Sequence, residues 1–204
     1  MLPCFPSCGR DVVKGKIMMK RIHAPLDEAA ILSLRAGDTV LLSGTIYTAR
    51  DAAHARLDKT LDRHEPLPID LSGQVIYYLG PAPAGPGRVI GSAGPTSSYR
   101  MDAYTPRLLE LGLKGMIGKG RRSQAVKDAM KKHCCVYFAA TGGAAALTAK
   151  CITKSEVVAY DDLGTEAIRK LTVEDFPVIV ADDCYGGDQY VSGPAAYLEQ
   201  LRRT

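Results

Sequence analysis

Three cations stand where this chain passes from apolar runs into polar ones. Arg50 follows SGTIYT (43–48) and Arg100 follows GPTSS (94–98), each in the first turn of an expected helix. Lys119 lies between Gly118 and Gly120, where backbone can approach a ligand closely. Helix starts already carry unpaired N–H groups and partial positive charge. A cation there is unfavourable unless an anion binds beside it. A guanidinium fork grips a carboxylate through two parallel hydrogen bonds, and an ammonium adds a point charge. Two forks and one point charge suit the two ends of a small dicarboxylate better than a phosphate chain. Thr96 and Ser97 place hydroxyls before Arg100, and Asp51 and His54 follow Arg50.

Each residue also has a plainer role open to it. Arg50 can pair with Asp51 or Asp58, and Arg100 with Asp102 or Glu110. Lys119 can be a solvated side chain, and Thr96 an N-cap. His54, one turn beyond Arg50 on the same face, can be a hydrogen-bonded structural histidine.

The elements that must position these residues alternate. Strands are expected over 38–43, 74–79, 88–92, 136–140, 156–160 and 176–181, and helices over 50–63, 99–112, 123–132, 164–171 and 193–203. The helix over 99–112 would bury Met101, Tyr104, Leu108 and Leu111, and Ser123 would cap the next. A Pro-rich segment, 81–87, reads as a stiff loop. The pattern is that of one α/β domain, with 1–20 as an extension, possible disorder included in that expectation, before a catalytic-type domain over 21–204.

Composition narrows the function. The chain has 204 residues, 46% hydrophobic and 24% charged, with a net charge of +4. That is enough for a substantial core and too little charge for a nucleic-acid face. Arg121-Arg122 and the Lys131-Lys132-His133 run read as solvated helix ends. With three Phe and no Trp, stacking platforms for bases are scarce. No apolar run approaches the length of a membrane span of about 18 residues, and a cytoplasmic setting is expected. The six cysteines (Cys4, Cys8, Cys134, Cys135, Cys151 and Cys184) form no C-x-x-C pair and read as small buried residues in a reducing compartment. Cys4 and Cys8 are conceivable metal ligands in an unsuitable Pro-flanked setting, and the histidines have no ligand spacing, so no metal site is expected. GMIGKG (115–120) lacks the spacing and the Ser or Thr of a P-loop. Gly85, Gly87 and Gly91 miss the dinucleotide-binding spacing by one residue. No G-x-S-x-G elbow exists.

SGTIYTARDAAH (43–54), GPTSSYRMD (94–102) and KGMIGKG (114–120) resemble the β subunit of two-subunit class I fumarate hydratase. The same unit forms the C-terminal part of single-chain enzymes of that class, and the β subunit of L-tartrate dehydratase is a near relative. The likeness continues through QVIYYLGPAPA (74–84), VYFAATGGAAAL (136–147) and DFPVIVADD (175–183). The resemblance implies a swivelling β/β/α domain, reversible hydration of fumarate to L-malate, and a [4Fe-4S] cluster whose ligands belong to a partner α subunit. It also implies self-association of αβ pairs. Carried over, it assigns Arg50, Arg100 and Lys119 to the substrate carboxylates and Thr96 to proton transfer, with Asp51, His54 and Ser97 in support. Ser97 stands where the family commonly has Thr, and its hydroxyl is kept. An L-tartrate dehydratase β subunit and a non-catalytic anion-binding module are the alternatives.

Overall fold

Alternating burial builds the sheet. In the long strand Ile168–Asp182, Leu171, Val173, Phe176, Val178 and Val180 are buried, and the ladder hydrogen bonds run along both of its edges. The structure, a computed structural model, describes residues 19–141 and 145–203. Residues 1–18 of the expected 1–20 extension, Cys4 and Cys8 among them, and part of the VYFAATGGAAAL segment lie outside the described residues, and Lys20 already opens the first strand.

The strands are β1 (Lys20–Ala24), β2 (Thr39–Thr48), β3 (Val75–Tyr77), β4 (Gly115–Gly118), β5 (Val136–Ala139), β6 (Ile152–Ala159) and β7 (Ile168–Asp182). The helices are α1 (Glu28–Leu32), α2 (Asp51–Asp62), α3 (Thr105–Glu110), α4 (Gln124–His133), α5 (Ala145–Thr148) and α6 (Gln189–Arg203). β1 to β5 are mutually parallel, and β7 runs antiparallel to β2, β5 and β6. The sheet order is β1-β2-β3-β4-β5-β7-β6, and a further β2–β7 pairing closes β2, β3, β4, β5 and β7 into a ring.

Two cores share that ring. Val40, Leu42, Ile46, Tyr77, Phe138 and Phe176 belong to the cluster inside it. The outward residues Ile76, Met116 and Tyr137 pack against Ala53 and Leu57 of α2, Leu108 of α3 and Val126 and Met130 of α4. Each fully buried leucine or valine there contributes roughly 1.5–3 kcal/mol. A β-ring with helices on its outer face is the expected β/β/α architecture.

Several elements differ from expectation. No strand forms over 88–92, because only Ile90 is buried while Val89 is exposed, and no ladder partner reaches this Pro-rich loop. The helix over 99–112 splits into a 3-10 turn, Ser98–Met101, and α3. Pro106 lacks the N–H that helix interiors use and so marks a new start. Tyr104 is only partly buried and Leu111 is exposed. Over 164–171 there is no α-helix: Gly164 breaks a short 3-10 segment with φ 58°, and Ile168 already belongs to β7. Strand pairing on both edges overrides local helix preference there. Gly118 ends β4 rather than opening a free turn. Arg122 is buried, not a solvated helix end: its side chain is 0% exposed and paired with Asp102 at 2.7 Å.

Candidate active site

The loops that leave β2 and β4, and the segment that returns to the end of β3, bring the expected residues together. In parallel sheets the carboxyl ends of the strands are where ligands bind. Arg50 lies two residues beyond β2, and Lys119 one residue beyond β4. The Thr96 N–H donates to the Tyr78 carbonyl (2.7 Å), just past β3, and Ser97 pairs with Lys119 as an isolated parallel bridge. The Ser98 N–H donates to the Lys119 carbonyl at 2.9 Å.

Asp51 joins the two arginines. Its Oδ1 lies 2.7 Å from Arg100 Nε and its Oδ2 3.3 Å from Arg50 Nε. Glu166 adds a second carboxylate, with Oε1 3.4 Å from Arg50 Nε and Oε2 accepting from the Ala52 N–H at 2.7 Å. These contacts use only the Nε edges. The terminal amino groups of both forks have no protein partner among the described residues, and a carboxylate fits such a free edge.

The helix-start reasoning needs correcting at both arginines. Arg50 is the N-cap residue of α2, but the chain itself supplies the anions, Asp51 in the first turn and Glu166 from across the fold. Arg100 sits on a four-residue 3-10 turn, too short for an appreciable dipole. Asp58 pairs with Arg107, and Asp102 with Arg122, so neither takes up Arg50 or Arg100.

Glycine matters here for closeness. A Cβ on Gly80 would stand 2.7 Å from Arg50 Nη1, and one on Gly118 would stand 2.0 Å from Ser98 Oγ. Gly118 therefore admits the Ser98 side chain rather than a ligand. Behind Lys119, the Tyr137 hydroxyl donates to the Gly120 carbonyl (2.9 Å) and the Tyr190 hydroxyl accepts from the Gly120 N–H (2.9 Å). Ser98 Oγ completes the chain to the Tyr137 hydroxyl at 2.8 Å.

His54 is fully buried beneath this surface. Its Nδ1–H donates to the Arg50 carbonyl at 3.0 Å, and its ring meets Tyr78 edge-on with centroids 5.4 Å apart. Burial, with Arg122 nearby, pushes its pKa down to about 4, so the ring is neutral at pH 7. Its Nε2 has no partner among the described residues. The structure thus brings Arg50, Asp51, Thr96, Ser97, Arg100 and Lys119 to one end of the parallel strands, with His54 buried behind Arg50.

Glu166, Ser98, Tyr137 and Tyr190 escaped the sequence reading. Their contacts span long separations, 114 residues for Ala52 and Glu166, and no local pattern marks them. A separate hollow of about 360 Å³ between α4 and α6 is lined by Lys127, Lys131, Asp182, Asp183 and Asp188, among others, and by none of the expected site residues. Asp182 is buried there, and burial, reinforced by Asp188, pushes its pKa up to about 6.

Among the described residues no group of three or more His, Cys, Asp or Glu converges to hold a metal ion. Cys135 is buried, its thiol donates to the Leu113 carbonyl, and burial pushes it up to about 12, far from a ligating thiolate. Cys134 and Cys135 precede β5, and so lie at the end of the parallel strands opposite Arg50 and Lys119. The described residues therefore do not fit an iron–sulfur cluster. No described helix is long and apolar enough to cross a membrane.

Known proteins match this chain over most of its length. The family described as fumarase C-terminus matches residues 8–193. Fumarate hydratase 2 of Leishmania major is 38% identical over 193 residues, 93% of this chain and 34% of that protein. The aerobic class I fumarate hydratase of Escherichia coli is 40% identical over 183 residues, 88% of this chain and 33% of that protein. The chain thus spans about a third of the length of these fumarate hydratases. Against the putative L(+)-tartrate dehydratase subunit beta of Methanocaldococcus jannaschii it is 37% identical over 182 residues, 86% of this chain and 93% of that one. A match across nearly the whole chain, on a β-ring whose strand ends gather the expected cations, leads to one conclusion: this chain belongs to the fumarase C-terminus family.

Proposed function

We propose that this chain is the β-type subunit of a two-subunit iron–sulfur hydro-lyase that interconverts fumarate and L-malate. The observation that carries the reading is the Arg50–Asp51–Arg100 bridge, which holds two guanidiniums by their Nε edges and leaves their terminal nitrogens for carboxylates. Lys119, adjacent through the Ser97 pairing, adds the third cation. Charge that builds up on a carboxylate beside the departing proton is stabilised best by donors already in place. Thr96 stands at that surface as the hydroxyl for proton transfer. An alcohol is a weak base in water, so it acts within a relay completed by the partner. Asp51 and Ser97 support the cations and the loop, and His54 holds the Arg50 carbonyl from below.

The [4Fe-4S] cluster belongs to a cluster-bearing α subunit, since the described cysteines of this chain cannot form its site. That division agrees with relatives in which this unit is a third of one long chain, and with one named as a separate subunit beta. Self-association of αβ pairs and a cytoplasmic setting belong to the same reading. L-tartrate is the second substrate to test, because the full-length correspondence is to a tartrate dehydratase subunit. The chain should be inactive alone and active when combined anaerobically with a cluster-bearing partner, assayed on L-malate, L-tartrate and mesaconate. Normal fumarate hydration by the isolated chain would refute the division of labour. Turnover of L-tartrate but not L-malate would move the assignment to the alternative.

A further inference from the structure

Glu166 is placed with unusual firmness for a residue in a connecting segment. It ends the 3-10 segment Asp161–Glu166, just before β7. The buried Thr48 hydroxyl, at the end of β2, donates to the Ala167 carbonyl (3.3 Å) and accepts from the Arg169 N–H (3.0 Å). Four residues earlier, Asp162 takes both terminal nitrogens of Arg56 at 2.7 Å each, tying the same segment to α2. Between these anchors the Glu166 carboxylate reaches the first turn of α2, where one oxygen caps Ala52 and the other faces Arg50 Nε. Its side chain and that of Arg50 are each about a quarter exposed, 23% and 24%.

We infer that Glu166 is a positioning residue for substrate recognition: it fixes the Arg50 fork from its Nε edge so that the terminal nitrogens face the diacid. The inference rests on the diacid reading of the site. With Asp51 it balances the charge of Arg50 and Arg100, so the two guanidiniums can stand side by side in the free chain without a bound anion. Side-chain order then comes before binding, and less of it is lost on binding.

Positioning and bulk electrostatics predict opposite signs. Removing a carboxylate beside two arginines makes the site more positive, so an electrostatic role alone would tighten the binding of a dianion. A positioning role predicts weaker binding. Glu166→Gln keeps an oxygen for the Ala52 N–H, and thus the helix cap, while losing the ionic grip on Arg50. Glu166→Ala loses both.

The test has two arms. In the full chain with 15N-labelled arginine, the Arg50 Nε–H resonance, identified by its loss in Arg50→Lys, should shift from its wild-type position in Glu166→Gln, with Asp51 still accepting from it. An unmoved resonance overturns the inference, whatever the enzyme does. In the complex with the cluster-bearing subunit, Glu166→Ala should lower kcat/KM for L-malate about ten- to hundredfold, mostly through KM. Glu166→Gln should restore the thermal midpoint but only part of kcat/KM. A lower KM in Glu166→Gln, or activity that simply follows thermal stability, would refute positioning. Should the wild-type complex turn over neither L-malate nor L-tartrate, the proposed function fails while the resonance still decides the role of Glu166.

Discussion

Arg122 and the pair Arg50 and Arg100 use the same chemical group in opposite ways. Arg122 is sealed in the outer core. Its Nε faces Asp102 at 2.7 Å, its Nη2 donates to the Thr105 hydroxyl at 2.9 Å, and its Nη1 reaches the Tyr78 hydroxyl at 3.3 Å. The ring centroids of Tyr78 and Tyr137 also lie 5.3 and 5.0 Å from its Cζ. Every side of that guanidinium is engaged by protein. Arg50 and Arg100 have side chains 24% and 41% exposed and are held along one edge only. A saturated guanidinium holds a fold together, and one gripped along a single edge keeps hydrogen-bond donors for a ligand.

The largest effect should come from breaking the saturated case. Arg122→Met leaves the Asp102 carboxylate partly buried without its cation, and such losses cost about 3–5 kcal/mol. Urea unfolding should show that loss in the isolated chain. An unchanged unfolding midpoint would mean the buried pair contributes nothing net.

Arg100→Ala and Arg50→Ala should do the reverse. Their unfolding midpoints should stay close to wild type, while kcat/KM of the reconstituted complex falls about ten- to thousandfold per residue. Wild-type kinetics in either variant would remove that side chain from the substrate site. Arg122→Lys and Arg100→Lys sharpen the contrast: a lysine cannot reproduce either fork, but the first should fail in stability and the second in turnover.

The buried region also carries the pH dependence. The folded pKa of His54 lies near 4, below its ordinary value of 6.5, so the unfolded chain takes up the proton first. Its contribution is fully present above pH 6.5 and is lost as pH falls toward 4, at about 1.4 kcal/mol for each pH unit crossed between those values. Asp182 has the opposite sign. Its folded pKa is raised from 3.8 to about 6, so its contribution is present below 3.8 and is lost as pH rises through 6. In wild type the two slopes oppose each other between pH 4 and 6. His54→Phe should remove the part that falls toward acid, and Asp182→Asn should steepen that fall and gain stability at pH 7. Parallel pH profiles for wild type and both variants would show that neither group titrates as its burial demands.

Local pattern made one half of this comparison legible and hid the other. The helix that became α2, the Arg50 start and the Ser123 cap of α4 all follow from residues within a few positions of one another. Arg122 looked like a solvated basic run because its partners Asp102, Thr105 and Tyr78 lie on other elements. Glu166 was hidden for the same reason, inside a stretch whose helix-like spacing is overruled by β2 and β6 on either edge of β7. The cations and the neighbouring Asp51 could be read from the sequence, but Glu166 could not, because closing the ring is what brings it to Arg50.

The smallest change probes aim without touching charge. Gly80 lies against the Arg50 side chain, and a methyl there would meet Nη1 at 2.7 Å and Cδ at 2.9 Å. Its backbone is not in the left-handed region, so the arginine side chain is what must move most, while the Thr165 carbonyl, 3.3 Å from the added methyl, gives slightly. Gly80→Ala should therefore keep the net charge and the fold, shift the Arg50 fork, and lower kcat/KM by about three- to tenfold. Combined with Glu166→Gln, the losses should fall short of additive, since both displace the same side chain. Fully additive losses would mean that Gly80 and Glu166 act on different groups, and the fork would then be free to find its substrate from any starting pose.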